Sequence, residues 1–282
     1  MTLDDTLALE AALDKDAKVL IVGAGLIGLK CAEGIRDRVA SITVCDLADR
    51  VLSSVLDADC AALMQKHLED NGIRFLLGDS ADHFDGNRAF MKSGAVLDFD
   101  ILVLAVGVRA NTAVAVEAGC EVKRGILVDT HMRTTEADVY AAGDCTEGWD
   151  ICGNRKVLAI LPNAYLQGRC AGINMAGGEA VFDKAIPINS LGFFGFHAMT
   201  AGTADGELHE ERRSGTLKRF FVKGGLLTGF ILMGETDRAG IYTSLIREKV
   251  PLDTIDFELL KKNATTTAFS AESRRKKFGG VV

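Results

Sequence analysis

The sequence has no surplus of basic charge, no long apolar run and no paired cysteines, and each absence closes off a class of function. Its 32 Lys and Arg stand against 39 Asp and Glu, a formal net charge of -7 with a pI near 5.3. Neutralising a phosphate backbone needs a basic face, so a nucleic-acid binder is excluded. The dense basic run Arg274–Lys277, close to the C-terminus, reads as a solvated tail. No stretch approaches the roughly 20 apolar residues that span a bilayer, and MTLDDTLALEAALDKDAK lacks the basic start and apolar core of a signal peptide. No membrane partner and a cytoplasmic location are expected. The seven cysteines, at 31, 45, 60, 120, 145, 152 and 170, form no C-x-x-C pair. Cys145 and Cys152 are close in sequence, but a reducing compartment works against a bond between them. The five histidines have no ligand spacing, so no metal site is expected.

What is there is an α/β pattern. At 282 residues, 48% hydrophobic and 25% charged, the chain is long enough for two domains. A short acidic helix is expected over Leu7–Leu13. The apolar run Lys18–Val22 then reads as a buried parallel strand, followed at once by Gly23-Ala-Gly-Leu-Ile-Gly28, a helical stretch Leu29–Arg36 and the β-branched strand Ser41–Cys45 ending in Asp46. This is a complete βαβ unit of the Rossmann type, with an acidic residue 18 positions after Gly28. Gly23 permits the tight turn, Gly25 lets backbone approach a pyrophosphate, and Gly28 lets the helix pack against the sheet. Leu26 and Ile27, inside the motif, are counted with the nucleotide-binding residues, and the helix N-terminus that follows offers unpaired N–H groups to the phosphates. Asp46 favours NAD over NADP, because a carboxylate at that strand end hydrogen-bonds ribose hydroxyls and repels a 2′-phosphate. Arg50 is near enough to blur that preference, although it reads better as a surface charge. The Tyr-x-x-x-Lys pair of short-chain dehydrogenases is missing, since Tyr140, Tyr165 and Tyr242 are followed four residues later by Asp144, Arg169 and Ile246.

A helix over Val55–Asp70, a turn at Asn71-Gly72, a strand Ile73–Leu77 and a hairpin about Asp85-Gly-Asn87 follow. The apolar strand Asp100–Gly107 suits the same central sheet, with Gly107 counted among the nucleotide-binding residues. A first domain closes near 107. Further on, the strand ending in Gly143-Asp144 brings a small residue and a carboxylate to the edge of a sheet where nucleotide ligands bind. Leu161–Gly177 reads as a helix with small residues on one face, opened by Pro162. Beyond Asp183, Phe193–Phe196, Leu217–Val222, a turn at Gly224-Gly225 and Leu226–Met233 read as a small antiparallel sheet. A helix Arg238–Glu248 follows, with Ile241, Leu245 and Ile246 as its core stripe.

With GAGLIGLKCAE, TTEADVYAAGDC, LPNAYLQGRCAGINMAGG and GFILMGETDRAGIYTSLIREKVPLD in this order, the chain resembles the FAD-dependent pyridine nucleotide-disulfide oxidoreductases. The similarity is to the branch of NADH:rubredoxin reductases, NADH oxidases and the flavin portion of NADH-dependent nitrite reductases. The resemblance implies an NAD-binding domain over 1–107, the C-terminal part of an FAD-binding domain over 108–183 and an α+β dimerisation domain over 184–282. It implies FAD held by Gly143, Asp144, Asn163 and Ala164, NADH as donor, a small redox acceptor or electron-transfer protein as partner, and a homodimer with Phe193, Phe194 and Phe196 at the interface. Two departures stand out. Family members begin with a further FAD-binding glycine unit, so the chain is expected to be the C-terminal part of such an enzyme, either a fragment of it or a subunit partnered by a separate FAD-binding half, and flavin affinity of this chain alone is expected to be weak. The family often has Glu where Lys30 stands, which removes any charge role carried over there. No catalytic residue is identified from the sequence, and none of the seven cysteines inherits a redox role by motif. A non-catalytic NAD-binding subunit without flavin is the competing expectation.

Overall fold

The computed structural model describes residues 2–278. The chain divides into two compact units, Met1–Val108 with Leu191–His197, and Arg109–Ser190 with Ala198–Val282. The boundary expected near 107 lies beside the end of the first unit, while 108–183 and most of 184–282 share the second.

The first unit begins with α1 (Leu3–Ala12), four residues earlier than the apolar pattern suggests. Thr2 starts it through a reciprocal cap, accepting from the Asp5 amide at 3.2 Å while its own amide donates to Asp5 Oδ2 at 2.6 Å. Then come β1 (Lys18–Val22), α2 (Leu26–Ile35), β2 (Ser41–Asp46), α3 (Ala58–Asp70) and β3 (Ile73–Leu77). The helix expected from Val55 begins at Ala58 because Asp57 caps it, accepting from the Cys60 amide at 3.0 Å. The strands β4 (Ala81–Asp85), β5 (Arg88–Met91) and β6 (Val96–Asp98) form an antiparallel sheet, and β7 (Ile101–Leu104) returns to the parallel one. The parallel order is β3-β2-β1-β7. Val19, Leu20 and Ile21 are buried, and Leu20 and Cys45 pack with Ala89, Met91 and Phe99 of the antiparallel layer. The strand expected to run to Gly107 stops at Leu104. It is an edge strand with one neighbour, and beyond it Val106 and Val108 are exposed while Gly107 turns the chain at φ +106°.

In the second unit the first elements are α4 (Ala113–Glu117), β8 (Ile126–Leu127), β9 (Thr146–Trp149), β10 (Arg155–Lys156) and α5 (Leu161–Met175). The strand expected to end in Gly143 is not formed: over 139–142 the ladder is reduced to one bridge, Arg133 to Tyr140, because among the described residues no further strand lies beside it. The remaining strands are β11 (Ile188–Phe193), β12 (Phe196–Gly202), β13 (Glu207–Arg213), β14 (Thr216–Lys223) and β15 (Leu226–Met233), in the order β11-β12-β15-β14-β13; Leu191–His197, where β11 ends and β12 begins, groups with the first unit. Gly224-Gly225 joins β14 to β15 as read from the sequence. Against this sheet lies α6 (Gly240–Glu248), which starts at Gly240 and not Arg238 because Arg238 sits at φ +58°, outside the helical region. Then follow α7 (Phe257–Lys262) and α8 (Ala271–Phe278). The helix α8 carries the basic run: Arg275 is exposed and Arg274 half-buried, and the side chains of Lys276 and Lys277 lie outside the described residues.

The centre of this second core is Tyr242, which the apolar stripe does not include. It is 1% exposed, its ring lies 5.0 Å from that of Phe220 and 5.6 Å from that of Phe230, and its hydroxyl donates to the Leu260 carbonyl at 2.6 Å. Burial first, and the charge of Glu235 second, push its hydroxyl up to about 12. In the unfolded chain a tyrosine ionises near 10. The buried neutral phenol therefore stabilises the fold below pH ~10, and this contribution is lost as pH rises through about 12. Tyr242→Phe is expected to cost about 1–3 kcal/mol in urea unfolding, because the Leu260 carbonyl loses its partner. The variant should also flatten the decline of stability over that alkaline window.

Candidate functional site

The carboxyl edge of the parallel sheet gathers the glycine motif. Gly23 leaves β1 at φ +117°, and a Cβ on it would stand 2.3 Å from the Ala105 carbonyl oxygen, so the loop approaches the end of β7 as closely as backbone allows. A Cβ on Gly28 would meet the Gly23 carbonyl oxygen at 2.0 Å, which is what brings α2 down onto its own loop. Gly25 is different: nothing lies within 4 Å of where its Cβ would be. It is the N-cap of α2 with no side chain bonded across the helix end, and among the described residues nothing accepts from the amides of Leu26, Ile27 and Gly28. These amides can therefore receive an anion, favoured by the helix dipole. Leu26 and Ile27 are partly exposed and line an open groove of about 1070 Å³ between α1, α2 and β7. Gly107 also lies beyond the end of β7 with open space before it.

Asp46 is the last residue of β2. It is half-buried, and both oxygens are engaged: Oδ2 accepts from the Ala24 amide at 2.6 Å and Oδ1 from the Ala48 amide at 2.8 Å. Sequence reasoning missed the Ala24 contact, which joins residues 22 apart. Arg50 donates to Asp49 at 2.8 Å. The adjacent Cys45 thiol is pushed up to about 11 by burial and then by the charges of Asp46 and Asp79, so it stays protonated.

On the other side of α2, Lys30 pairs with Glu33 at 2.6 Å, donates to the Gly192 carbonyl and lies 4.9 Å over the Phe193 ring. Glu33 accepts from the Phe194 amide at 2.6 Å, and His67 Nε2 lies 3.0 Å from the Phe193 carbonyl oxygen. Burial opposes the Glu33 charge, but the Lys30 and Phe194 bonds outweigh it and hold the carboxyl below its usual range. Phe193 is 0% exposed, which corrects its choice as an interface residue; Phe194 and Phe196 are half-buried.

In the second unit Gly143 and Ala164 are brought together, a Cβ on Gly143 lying 3.7 Å from that of Ala164. Gln167, which carries no motif signal, accepts from the Gly143 amide at 2.7 Å and from the Thr146 hydroxyl at 3.1 Å. Asp144 is exposed beside them. Asn163 is 2% exposed and directs its amide to the Ile186 carbonyl at 3.5 Å. Among the described residues no disulfide joins any of the seven cysteines. Among the described residues no group of His, Cys, Asp or Glu could hold a metal ion, and no helix is long and apolar enough to cross a membrane.

Residues 1–168 match the family described as pyridine nucleotide-disulphide oxidoreductase, and the chain belongs to that family. The epsilon subunit of NADH-dependent phenylglyoxylate dehydrogenase from Aromatoleum evansii is 31% identical over 264 residues, 89% of this chain and 63% of that subunit. An NADH oxidase from Methanocaldococcus jannaschii is 37% identical over 188 residues, 64% of this chain and 42% of that enzyme. The chain thus spans less than two thirds of the length of either relative. A crystal structure of a FAD-dependent pyridine nucleotide-disulphide oxidoreductase from Desulfovibrio vulgaris superposes with a TM-score of 0.79 at 25% identity, over 95% of this chain and 74% of that one.

The glycine geometry separates two kinds of substitution. Gly28→Ala drives a methyl into the Gly23 carbonyl and is expected to destabilise the chain by about 1–3 kcal/mol. Gly25→Ala, at φ -83° with open space before it, is expected to leave the thermal midpoint within a degree or two of wild type. Differential scanning calorimetry of the pair checks both.

Proposed function

We propose that this chain is the nucleotide-binding and flavin-facing portion of an NADH-dependent FAD oxidoreductase that passes electrons to a small acceptor or electron-transfer protein. The observation that carries the reading is the α2 entrance, where three unused amides face the open space in front of Gly25. A dinucleotide pyrophosphate fits that arrangement, with Gly23 and Gly28 holding the loop and Gly107 leaving the far side clear. Asp46 at the end of β2 favours NADH over NADPH. For FAD, Asp144 is placed to accept a ribityl hydroxyl, and Gly143 and Ala164 offer a surface without bulk. Asn163 enters only as packing behind them. FAD, when bound, would take a hydride from NADH and release electrons singly or in pairs to the acceptor; the chain's own task is to orient the two ligands and exclude water.

Further support comes from the NADH-dependent phenylglyoxylate dehydrogenase subunit and the NADH oxidase among its relatives. Because those relatives are longer, the remaining FAD cradle is proposed to come from a further FAD-binding unit, carried on the same polypeptide or on a separate one. Seven cysteines without a disulfide favour a reducing, cytoplasmic setting. Three parts are proposed, with NAD binding over 1–107, FAD binding over 108–183 and dimerisation over 184–282.

Fluorescence titration of the full chain is expected to give tighter binding of NADH than of NADPH, and Gly25→Ala should weaken NADH at least tenfold by filling the space a phosphate needs. Equal affinities would remove the assignment of Asp46. The chain alone is expected to purify with little flavin, and the complementary half supplied in trans should restore a flavin spectrum and NADH-dependent dye reduction. A yellow 282-residue chain with one FAD and brisk NADH oxidation would show that no second half is needed.

A homodimer is also proposed, through the antiparallel sheet, since isologous contacts are the commonest oligomer geometry. Sedimentation at micromolar protein should then give a dimer, and a strictly monomeric species would rule it out.

A further inference from the structure

We propose that Asp46 is a positioning residue that holds the glycine loop in the shape receiving a dinucleotide pyrophosphate, whatever the adenosine ribose carries. The inference rests on the dinucleotide reading given above and assigns this carboxylate a second task.

Two successive loop amides are tied to two successive residues of β2. The Gly23 amide donates to the Cys45 carbonyl at 2.7 Å, and the Ala24 amide donates to Asp46 Oδ2 at 2.6 Å. The Ala24 carbonyl in turn accepts from the Leu52 amide at 3.0 Å. Ala24 is therefore fixed at both its amide and its carbonyl, and it is buried. Gly25, the next residue, caps α2, so the directions of the Leu26, Ile27 and Gly28 amides follow from how Ala24 is held. The other Asp46 oxygen takes the Ala48 amide at 2.8 Å. A bare carboxylate this near a diphosphate would repel it. Two donated amides spread that charge, and each oxygen keeps a lone pair with which to accept a ribose hydroxyl. Without the carboxylate, a buried Ala24 N–H loses its acceptor, and the loop must shift to find another.

A ribose contact and a loop contact are separated by a ligand that has no ribose hydroxyls to offer. Wild type, Asp46→Ala and Asp46→Asn full-length chains would be titrated with NADH and with an NADH analogue lacking both adenosine-ribose hydroxyls. The Ala24 amide would be followed by NMR in ¹⁵N-alanine-labelled protein. Asp46→Ala is expected to weaken the analogue at least tenfold and to move the Ala24 resonance upfield. Asp46→Asn keeps one acceptor oxygen for Ala24 but turns an NH₂ toward the Ala48 amide, so it should recover part of the loss; it also carries the test if the alanine variant does not fold. If the analogue binds Asp46→Ala as tightly as wild type, or the Ala24 resonance stays in place, Asp46 acts on the ribose alone and the inference is overturned. Failure of the underlying reading looks different: wild type would bind neither NADH nor the analogue.

Discussion

Between the end of β1 and the end of β7 there is no room for a side chain. The Gly23 position would put a Cβ 2.3 Å from the Ala105 carbonyl oxygen, and the Ala105 amide itself donates to Val22 at 2.8 Å, so the two strand ends are bonded together there. This contact decides where the loop can go. It turns away from β7 at φ +117° and crosses toward β2, where Cys45 and Asp46 take its first two amides. The first turn of α2 then lands on the Gly23 carbonyl, which only a glycine at 28 permits. The open space before Gly25 is what remains once those contacts are made, at the carboxyl edge of the sheet where open α/β folds bind ligands.

The engagement of Asp46 is one case of a device the chain repeats. Asp79 accepts from the Ser80 amide at 2.8 Å, the Ser93 amide at 3.2 Å and the Ser93 hydroxyl at 2.5 Å. The hydroxyl bond is the main reason its carboxyl lies below the usual range. Glu147 Oε2 takes the Arg124 and Gly125 amides at 2.8 and 3.2 Å, and Asp150 Oδ1 takes those of Cys152 and Asn154 at 2.9 and 2.8 Å. Each of these carboxylates closes a connection by gathering amides that no strand or helix satisfies, and a carboxylate is suited to that because it accepts without donating. Part of the acidic excess of a chain with net charge -7 is thus internal to its loops.

The elements that were legible in the sequence are those whose signal is local. β1, β2 and β3 appear with their expected spans because apolar runs bounded by glycine or acidic residues leave little choice of register. The reciprocal Thr2–Asp5 cap and the Asp57 cap were equally local, and reading them would have placed both helix starts. What was not legible depends on partners distant in sequence. The apolar run after Asp100 is a strand only as far as Leu104 because its partner β1 ends at Val22, opposite Leu104, and among the described residues no strand lies on its other side. Val139–Ala142 has strand composition and a single bridge. Phe193 reads as a surface aromatic in a run of short strands, yet its carbonyl and ring meet His67 and Lys30 more than a hundred residues away. Gln167 bonds the Gly143 amide across 24 residues and carries no pattern that periodicity could detect.

The two candidate sites also differ in what their backbone has left to give. At the α2 entrance no described residue accepts from the amides, so a ligand can complete hydrogen bonding that the fold leaves open. At Gly143 the amide is already taken by Gln167, and Asn163 is turned inward to Ile186. Such a surface can present the Asp144 carboxylate and small residues, but it cannot itself supply donors to a phosphate from these two groups. The first arrangement suits the anionic middle of a dinucleotide and the second a hydroxylated, uncharged chain, and this division of ligand chemistry follows from which amides the folded chain has used.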